Sequence, residues 1–322
     1  MSISVVVPIY NECDNILPLY RQLNQVLQRI ERQYEILFID DGSTDNSRQQ
    51  LQQLAEVDPH VKVVFFRRNY GQTAAMQAGL RLAIGDAIVT LDGDLQNDPA
   101  DIPTLVRHLD DGGFDIVCGW RRDRKDPWLT RQLPSRAANR IISWATGVHL
   151  NDYGCSLKVF RAEVVKPLRL YGELHRFLPA LASDMGVRIA ELPVNHRPRV
   201  YGRSKYGLSR TIRVLLDLVT VKFLLSYSTR PLQVFGLVGG AMGVTGAVTL
   251  GYLGTVRMLG WQQLTPRTPL VLLGILLVFT GVQLVTLGLL AELQARTYHE
   301  SQGKPVYVIR QILQARRPED GD

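Results

Sequence analysis

Cysteine is scarce in this chain, and its pattern excludes two kinds of site. The three cysteines, Cys13, Cys118 and Cys155, lie far apart and show none of the paired spacing of zinc sites. Their odd number also argues against a disulfide framework. We therefore expect reduced thiols in a reducing compartment. The lack of a secretory signal before the first apolar segment agrees with that expectation.

Charged residues are absent from two long stretches near the C-terminus, residues 231–256 and 269–291. At about 1.5 Å per residue, a helix of either length crosses a hydrocarbon core of about 30 Å. Buried helices of soluble proteins nearly always carry a charged stripe at this length, so the sequence predicts two transmembrane helices. Small residues at three- and four-residue steps predict close packing, either within this helix pair or between copies in a homo-oligomer. These residues are Gly236, Gly239, Gly240, Gly243 and Gly246.

Basic residues are concentrated on both sides of these stretches, whereas the loop between them is poorer in cations. Because positively charged flanks stay in the cytoplasm, we expect a multi-pass protein of the bacterial inner (plasma) membrane. Its N-terminal domain and both termini would be cytoplasmic. The formal net charge is +7. We expect this positive charge to bind an anionic membrane surface and phosphate-bearing substrates, and we expect no nucleic-acid partner.

The segment before the first uncharged stretch is amphipathic, with Arg210, Arg213 and Asp217 on the face opposite its apolar residues. It predicts a helix that lies in the membrane interface or packs against the N-terminal domain. Four regions are expected: an N-terminal domain (1–207), an interfacial helix region (208–230), a transmembrane hairpin (231–296) and a cytoplasmic tail (297–322). The tail contains a short strand-like segment, 304–310, without an identifiable partner.

The N-terminal domain alternates apolar runs with helical patterns, which predicts an α/β fold. The runs are 3–7, 36–39, 61–66 and 87–90, and a polar cluster follows each one. Such runs are typical of parallel strands covered on both faces. We expect a Rossmann-like, mostly parallel sheet. Ligands bind beyond the carboxyl ends of the strands in sheets of this kind, where the polar clusters would lie.

The segment LDGDLQ follows the last of these runs and carries Asp92, Asp94 and Gln96. If the chain stays extended, every second side chain points to the same face. The three oxygen-bearing groups would then converge on one point. Oxygen ligands suit Mg²⁺ or Mn²⁺, which proteins often share with substrate phosphates. The alternative is a solvated acidic turn.

The segments VVVPIYNE, DDGSTD, RNYGQTAAMQAG and LDGDLQNDP together resemble the family-2 glycosyltransferases of the GT-A fold. More closely they resemble the polyprenyl-phosphate glycosyltransferases, which include dolichyl-phosphate mannose synthases and bacterial bactoprenol glucosyltransferases. The likeness covers roughly the first two thirds of the chain, and the two uncharged stretches match the bactoprenol branch in layout. The chain lacks the Q-x-x-R-W motif of processive synthases, which favours one sugar per acceptor.

The resemblance implies an enzyme that transfers one hexose, glucose as first choice, from a UDP-sugar to undecaprenyl phosphate. The reaction would invert the sugar, depend on Mg²⁺ or Mn²⁺ and occur at the cytoplasmic membrane face. GDP-mannose or a modified UDP-sugar remains an alternative donor. The alternative that is not an enzyme is a membrane component that binds or transports nucleotide sugars.

The resemblance also assigns individual residues to the donor. Those at the nucleotide sugar are Pro8, Tyr10, Glu12, Asp40, Asp41, Gly71 and Asp92. The metal ligands are Asp94 and Gln96, with Asp92 at the metal or the ribose. Asp94 would thereby act in catalysis.

On the acceptor side, Arg121 and Arg131 lie in a dense basic stretch that resembles the family's phosphate-binding region. Asp152 would act as a base, or position the acceptor or an arginine. Further along, Arg199, Ser204 and Lys205 fit the R-x-x-G-x-S-K-Y loop that closes over the diphosphate in that family. Arg199 and Lys205 would then be catalytic, and Ser204 would bind phosphate. The alternative for this loop is a lipid-binding patch beside the membrane.

Overall fold

The computed structural model describes residues 1–122, 139–140, 142–143, 146–170, 174–183, 185–198, 231–259, 268–301 and 307–314. The chain forms two compact units, one of Met1–Val221 with Pro305–Asp322 and the other of Lys222–Lys304. The end of the tail therefore belongs to the same compact unit as the N-terminal domain. The expected interfacial helix region, 208–230, lies outside the described residues.

The first unit is built on an eight-stranded sheet with the order β7-β5-β6-β4-β1-β2-β3-β8. The strands are β1 (Ile3–Ile9), β2 (Tyr34–Asp40), β3 (Val61–Phe66), β4 (Ala87–Thr90), β5 (Ile116–Trp120), β6 (Lys158–Arg161), β7 (Ile189–Pro193) and β8 (Ile309–Gln314). Pairing is parallel for β1 with β2 and β4, for β2 with β3, and for β5 with β7. Strands β6 and β8 pair antiparallel with their neighbours. The mostly parallel α/β sheet expected from the sequence is confirmed.

Helices of the first unit follow the strands in the alternating order that the sequence predicted. Those with described bounds are α1 (Cys13–Gln28), α2 (Ser47–Val57), α3 (Gln72–Leu82), α4 (Ile102–Asp111), α5 (Ala162–Val165) and α6 (Leu178–Ser183). Helix α1 buries Ile16, Leu19, Leu23 and Leu27, whose three- and four-residue spacing forms one apolar face. That face packs into the main core with the buried side chains of β1, β2 and β3. The central strands β1, β2 and β3 are thus covered on this face, as expected for buried apolar strands.

The turns that follow β1, β2, β3 and β4 lie at one edge of the sheet because these four strands are parallel. One close approach there depends on glycine. Gly42 has a φ of +72°, and a Cβ at this position would lie 2.4 Å from the backbone carbon of Arg68. Only glycine avoids that clash and adopts this φ without strain. The turn after β2 can therefore contact the turn after β3.

The described residues of the second unit form two helices, α7 (Pro231–Met258) and α8 (Thr268–Ser301). Their segments Phe235–Met258 and Thr268–Leu290 are long and apolar enough to cross a membrane. A Cβ on Gly239 would lie 2.6 Å from the Gly281 carbonyl oxygen, and one on Gly246 would lie 2.7 Å from that of Gly274. These glycines therefore allow the two helices to pack against each other, which is one of the two alternatives left open by the sequence. Gly240 faces open space.

Candidate functional site

A cavity of about 200 Å³ opens where the turns after β1, β2, β3 and β4 meet. It is lined by Pro8, Ile9, Tyr10, Glu12, Asp41, Asn69, Gly71, Gln72, Asp92, Gly93 and Asp94. Six of the seven residues assigned to the nucleotide sugar lie in this wall. Asn69 and Gln72, from the same polar cluster as Gly71, also line the cavity.

Asp41 joins two of these turns. Its Oδ1 accepts a hydrogen bond from the backbone N–H of Tyr70 at 2.7 Å, and its Oδ2 accepts one from Gly71 at 2.9 Å. Burial raises the pKa of Asp41 to about 6, although the two backbone N–H groups oppose the rise. The carboxylate thus fixes the position of residues 67–71, which we call the 67–71 loop, against the turn after β2.

Asp40, in contrast, does not line the cavity. It is fully buried, forms an ion pair with Arg48 at 3.2 Å and accepts a hydrogen bond from the backbone N–H of Ser43 at 3.1 Å. Strand β2 extends through Asp40, so the adjacent carboxylates of Asp40 and Asp41 point in opposite directions. The assignment of Asp40 to the nucleotide therefore has no support from the structure, which gives this residue a role in holding the turn after β2.

The acidic segment after β4 is a turn, and the expectation of an extended chain was wrong. Strand β4 ends at Thr90, and Leu95 has a φ of +60°, a left-handed conformation that interrupts any alternation of side chains. Asp92 and Asp94 still line the cavity, but Gln96 does not. The backbone N–H of Gln96 donates to Asp94 Oδ1 at 3.2 Å. The structure therefore leaves Gln96 outside the group of converging ligands.

Asp92 and Asp94 concentrate negative charge in the cavity wall. Burial, followed by the nearby charge of Asp94, raises the pKa of Asp92. Gln72 Nε2 donates to Asp92 Oδ1 at 2.7 Å and so orients one carboxylate. Two adjacent carboxylates facing a cavity form an oxygen donor set that fits Mg²⁺ or Mn²⁺.

This pair does not form a complete protein site for a metal ion. The described residues contain no group of three or more histidine, cysteine, aspartate or glutamate side chains that could hold one. Mg²⁺ commonly takes only one or two carboxylates and fills its remaining positions with water and substrate phosphates. The arrangement thus suits an ion that binds together with a phosphate-bearing ligand.

The turn after β1 is fixed by the turn after β2. The Asn11 side chain accepts a hydrogen bond from the backbone N–H of Thr44 at 2.8 Å, and the backbone N–H of Glu12 donates to Ser47 Oγ at 3.1 Å. Glu12 also accepts a hydrogen bond from Asn15 Nδ2 at 2.6 Å. Tyr10 and Glu12 therefore enter the cavity wall from a backbone that is already held in place.

Arg121 and Asp152 form a two-point ion pair. Arg121 Nε donates to Asp152 Oδ2 at 2.7 Å, and Nη2 donates to Oδ1 at 2.9 Å. Burial alone would lower the pKa of Arg121, but the hydrogen bonds and charge of Asp152 raise it. The backbone N–H of Asp152 donates in turn to Glu191 at 2.8 Å, a partner that the sequence did not indicate. Asp152 thus has the geometry of a group that positions an arginine, one of the roles considered for it.

Four sequence-predicted site residues, Arg131, Arg199, Ser204 and Lys205, lie outside the described residues. The segment just before the last three is described, and it contacts the chain beside Asp94. The backbone N–H of Arg197 donates to the Gln96 carbonyl at 2.8 Å, and the Arg197 side chain pairs with Asp98.

Comparison with known sequences agrees with this site. Residues 4–168 match the profile described as "Glycosyl transferase family 2". The chain is 42% identical to a dodecaprenyl-phosphate galacturonate synthase of Rhizobium johnstonii, over 97% of this chain and 93% of that protein. It is 38% identical to an undecaprenyl-phosphate 4-deoxy-4-formamido-L-arabinose transferase of Edwardsiella ictaluri, over 99% of this chain and 96% of that protein.

Solved structures support the fold. A glucosyl-3-phosphoglycerate synthase of Mycobacterium tuberculosis, in complex with Mn²⁺, UDP and glucosyl-3-phosphoglycerate, has a TM-score of 0.54 at 19% identity, covering 69% of this chain and 78% of that one. A mannosyl-3-phosphoglycerate synthase of Rubrobacter xylanophilus has a TM-score of 0.56 at 16% identity, covering 69% and 74%. With its GT-A sheet, its acidic cavity and these relatives, the chain belongs to glycosyltransferase family 2 and is a glycosyltransferase.

Proposed function

We propose that this enzyme transfers one sugar from a UDP-sugar to a polyprenyl phosphate, with inversion at the sugar's anomeric carbon. One observation carries the donor half of the proposal, namely the cavity at the carboxyl ends of the parallel strands with Asp92 and Asp94 in its wall. The two relatives described above carry a polyprenyl-phosphate acceptor in their names, which supports the acceptor half.

The nucleotide occupies the wall formed by Pro8, Tyr10, Asp41 and Gly71 in this proposal. Asp41 is committed to two backbone N–H groups, so its principal task is to hold the 67–71 loop. The Tyr10 ring and the Gly71 backbone then meet the nucleotide. Because these contacts are held before the ligand arrives, less ordering free energy is lost on binding.

Asp92 and Asp94 would hold the divalent ion at the diphosphate. When bound, such an ion stabilises the negative charge of the departing diphosphate. Gln72 orients Asp92 through its 2.7 Å hydrogen bond. The choice between Mg²⁺ and Mn²⁺ is left to experiment, since both accept a set of oxygen ligands.

The acceptor attacks through a phosphate oxygen. That oxygen forms a bond to the anomeric carbon, the bond to the nucleotide breaks, and its electron pair leaves with the diphosphate. A phosphate monoester is already largely ionised at neutral pH, since its second pKa is about 6, so no general base is required. Asp152, paired with Arg121 at 2.7 Å, serves this reaction by fixing the orientation of that arginine.

The names of the relatives change the expected identity of the donor sugar. Their names specify galacturonate and 4-deoxy-4-formamido-L-arabinose, and neither names glucose. We therefore propose a modified UDP-sugar as donor, which the sequence had left as an alternative. UDP-glucose and GDP-mannose become the comparison donors.

We propose that the protein lies in the inner membrane, and the two long apolar helices support this proposal. Because basic residues flank the pair on both sides, we propose that both termini and the catalytic domain face the cytoplasm. A cysteine label at Gln262 should then be reached from outside intact cells, and labels at Asn46 and Gly303 should be protected. Labelling of Gly303 from outside would contradict this topology.

A panel of labelled donors tests the donor proposal. The purified full chain is incubated with undecaprenyl phosphate, Mn²⁺ and one donor at a time: UDP-galacturonate, UDP-4-deoxy-4-formamido-L-arabinose, UDP-glucose or GDP-mannose. We expect labelled lipid with one of the two modified UDP-sugars and little with UDP-glucose. Preference for UDP-glucose would restore the first expectation from the sequence, and preference for GDP-mannose would reject a UDP donor.

A further inference from the structure

The C-terminal strand β8 is the edge strand of the sheet next to β3. It pairs antiparallel with β3, with Phe66 opposite Ile309 and Val63 opposite Leu313. Beyond the paired residues, the backbone N–H of Arg67 donates to the Val308 carbonyl at 3.2 Å. A segment that follows the two apolar helices thus binds the strand that leads into the 67–71 loop.

Tyr307, just before β8, extends this contact with its side chain. It is buried, and its ring stacks on Phe66 with a centroid distance of 5.1 Å and an interplanar angle of 11°. Phe66 in turn meets Tyr70 edge-on at 5.7 Å. The guanidinium of Arg68 lies 4.8 Å from the centre of the Tyr70 ring. Three aromatic rings therefore connect the C-terminal segment to the 67–71 loop.

The 67–71 loop, which these rings contact, also forms part of the cavity wall. The backbone N–H groups of Tyr70 and Gly71 bind Asp41, and Asp41, Asn69 and Gly71 line the cavity. The loop is thus held on one side by Asp41 and on the other by Tyr307 through Phe66. Gly71 has a φ of +95°, and a Cβ added there would meet no atom within 4 Å, so no neighbouring atom packs on that side of the residue.

We propose that Tyr307 is a positioning residue for the donor site, and that β8 keeps the 67–71 loop in the conformation that binds the nucleotide. Without the stacked ring, Phe66 and Tyr70 would sample more orientations, and nucleotide binding would have to restrict them again. The inference rests on the proposed function in one respect, the identity of the ligand as a nucleotide.

The chain offers matched variants. Tyr307→Ala removes the ring, and Tyr307→Phe keeps it. Leu313→Ala removes apolar volume from the same strand, opposite Val63 and away from the loop. We measure UDP binding by calorimetry with Mn²⁺ on the full chain in detergent. Tyr307→Ala should weaken UDP binding by about three- to tenfold, the scale of one aromatic pair, whereas the other two variants should stay within about twofold of wild type.

Equal UDP affinity in wild type and Tyr307→Ala would overturn the inference, and so would equal weakening by Tyr307→Ala and Leu313→Ala. Should Tyr307→Ala fail to fold, Tyr307→Leu takes its place, because it keeps apolar bulk without a ring.

Amide hydrogen exchange at Tyr70 and Gly71 distinguishes a failure of this inference from a failure of the proposed function. If wild type binds no UDP, the proposed function fails, and faster exchange in the variant still supports the role of Tyr307. Unchanged exchange would reject that role.

Discussion

Arg121 and Asp152 meet through two hydrogen bonds of 2.7 Å and 2.9 Å, although they are 31 positions apart in the chain. Both side chains are largely buried, so each satisfies the charge of the other. Glu191 accepts a hydrogen bond from the backbone N–H of Asp152 and so holds the backbone of this residue in place. A carboxylate held in this way is better suited to orienting a cation than to accepting a proton.

Asp152→Asn tests that distinction. The amide keeps one acceptor for Arg121 but loses the charge, so we expect a loss of about 1.5–3 kcal/mol in transition-state stabilisation, the scale of a hydrogen bond to a charged group. The defect should appear mainly in the acceptor KM, with donor Kd nearly unchanged. It should also be constant between about pH 6.5 and pH 9, since no proton transfer is removed. A defect that grows with pH in step with a single ionisation would instead indicate a general base.

The metal role of Asp94 gives a second prediction. Asp94→Asn keeps the size of the side chain and removes one of two adjacent negative charges, so transfer should fall by about a hundredfold or more, as when one electrostatic stabiliser of a transition state is removed. Chelation of wild type should abolish transfer, and added Mn²⁺ or Mg²⁺ should restore it. Asp14→Asn, at an exposed position in helix α1, is the control and should leave transfer unchanged. Full activity in excess chelator would contradict the metal role.

The raised pKa of Asp41 predicts a pH dependence of stability. The pKa of this carboxyl is ordinarily 3.8 and rises to about 6 in the fold, so between these values the folded state binds more protons than the unfolded state. Asp41 therefore adds to the free energy of unfolding as pH falls through about 6. Asp41→Asn removes this titration and leaves the other groups in place. The melting temperature of wild type minus that of Asp41→Asn should increase from about pH 7.5 to about pH 5. A difference that does not change would contradict the raised pKa.

The glycine contact between α7 and α8 gives a prediction with a built-in control. A Cβ on Gly239 would lie 2.6 Å from the Gly281 carbonyl oxygen, whereas one on Gly240 would meet nothing within 4 Å. Gly→Ala improves helix propensity by about 1 kcal/mol at either site. Gly239→Ala should nevertheless lower the melting temperature in detergent, and Gly240→Ala should preserve or raise it. The same change at both positions would mean that the two helices do not pack through Gly239.

The sequence predicted the sheet well because the apolar runs and their polar ends are local signals. It placed Pro8, Tyr10, Glu12, Asp41, Gly71, Asp92 and Asp94 at one edge of the sheet, and all of them line the cavity. It could not distinguish Asp40 from Asp41, since the choice depends on where β2 ends. It misplaced Gln96 because the left-handed conformation of Leu95 has no clear sequence signal.

Contacts between residues that are distant in sequence could not be predicted from local sequence patterns. The sequence placed a strand-like segment at 304–310, whereas β8 spans Ile309–Gln314, so the two share only residues 309 and 310. The pairing of β8 with β3 and the stacking of Tyr307 on Phe66 depend on the folded chain. The hydrogen bond between Glu191 and the backbone of Asp152 likewise depends on the folded chain. Gln72 follows Gly71 in the chain, but its bond to Asp92 depends on how α3 begins next to the turn after β4.

The lipid product tests the central claim most directly. The full chain is incubated with undecaprenyl phosphate, Mn²⁺ and the best donor of the panel, and the lipid fraction is measured by mass spectrometry while released UDP is measured in the aqueous phase. We predict undecaprenyl phosphate carrying a single sugar residue, with one UDP released for each lipid product. Donor hydrolysis without any lipid-linked sugar, or a lipid carrying several sugars, would contradict the account.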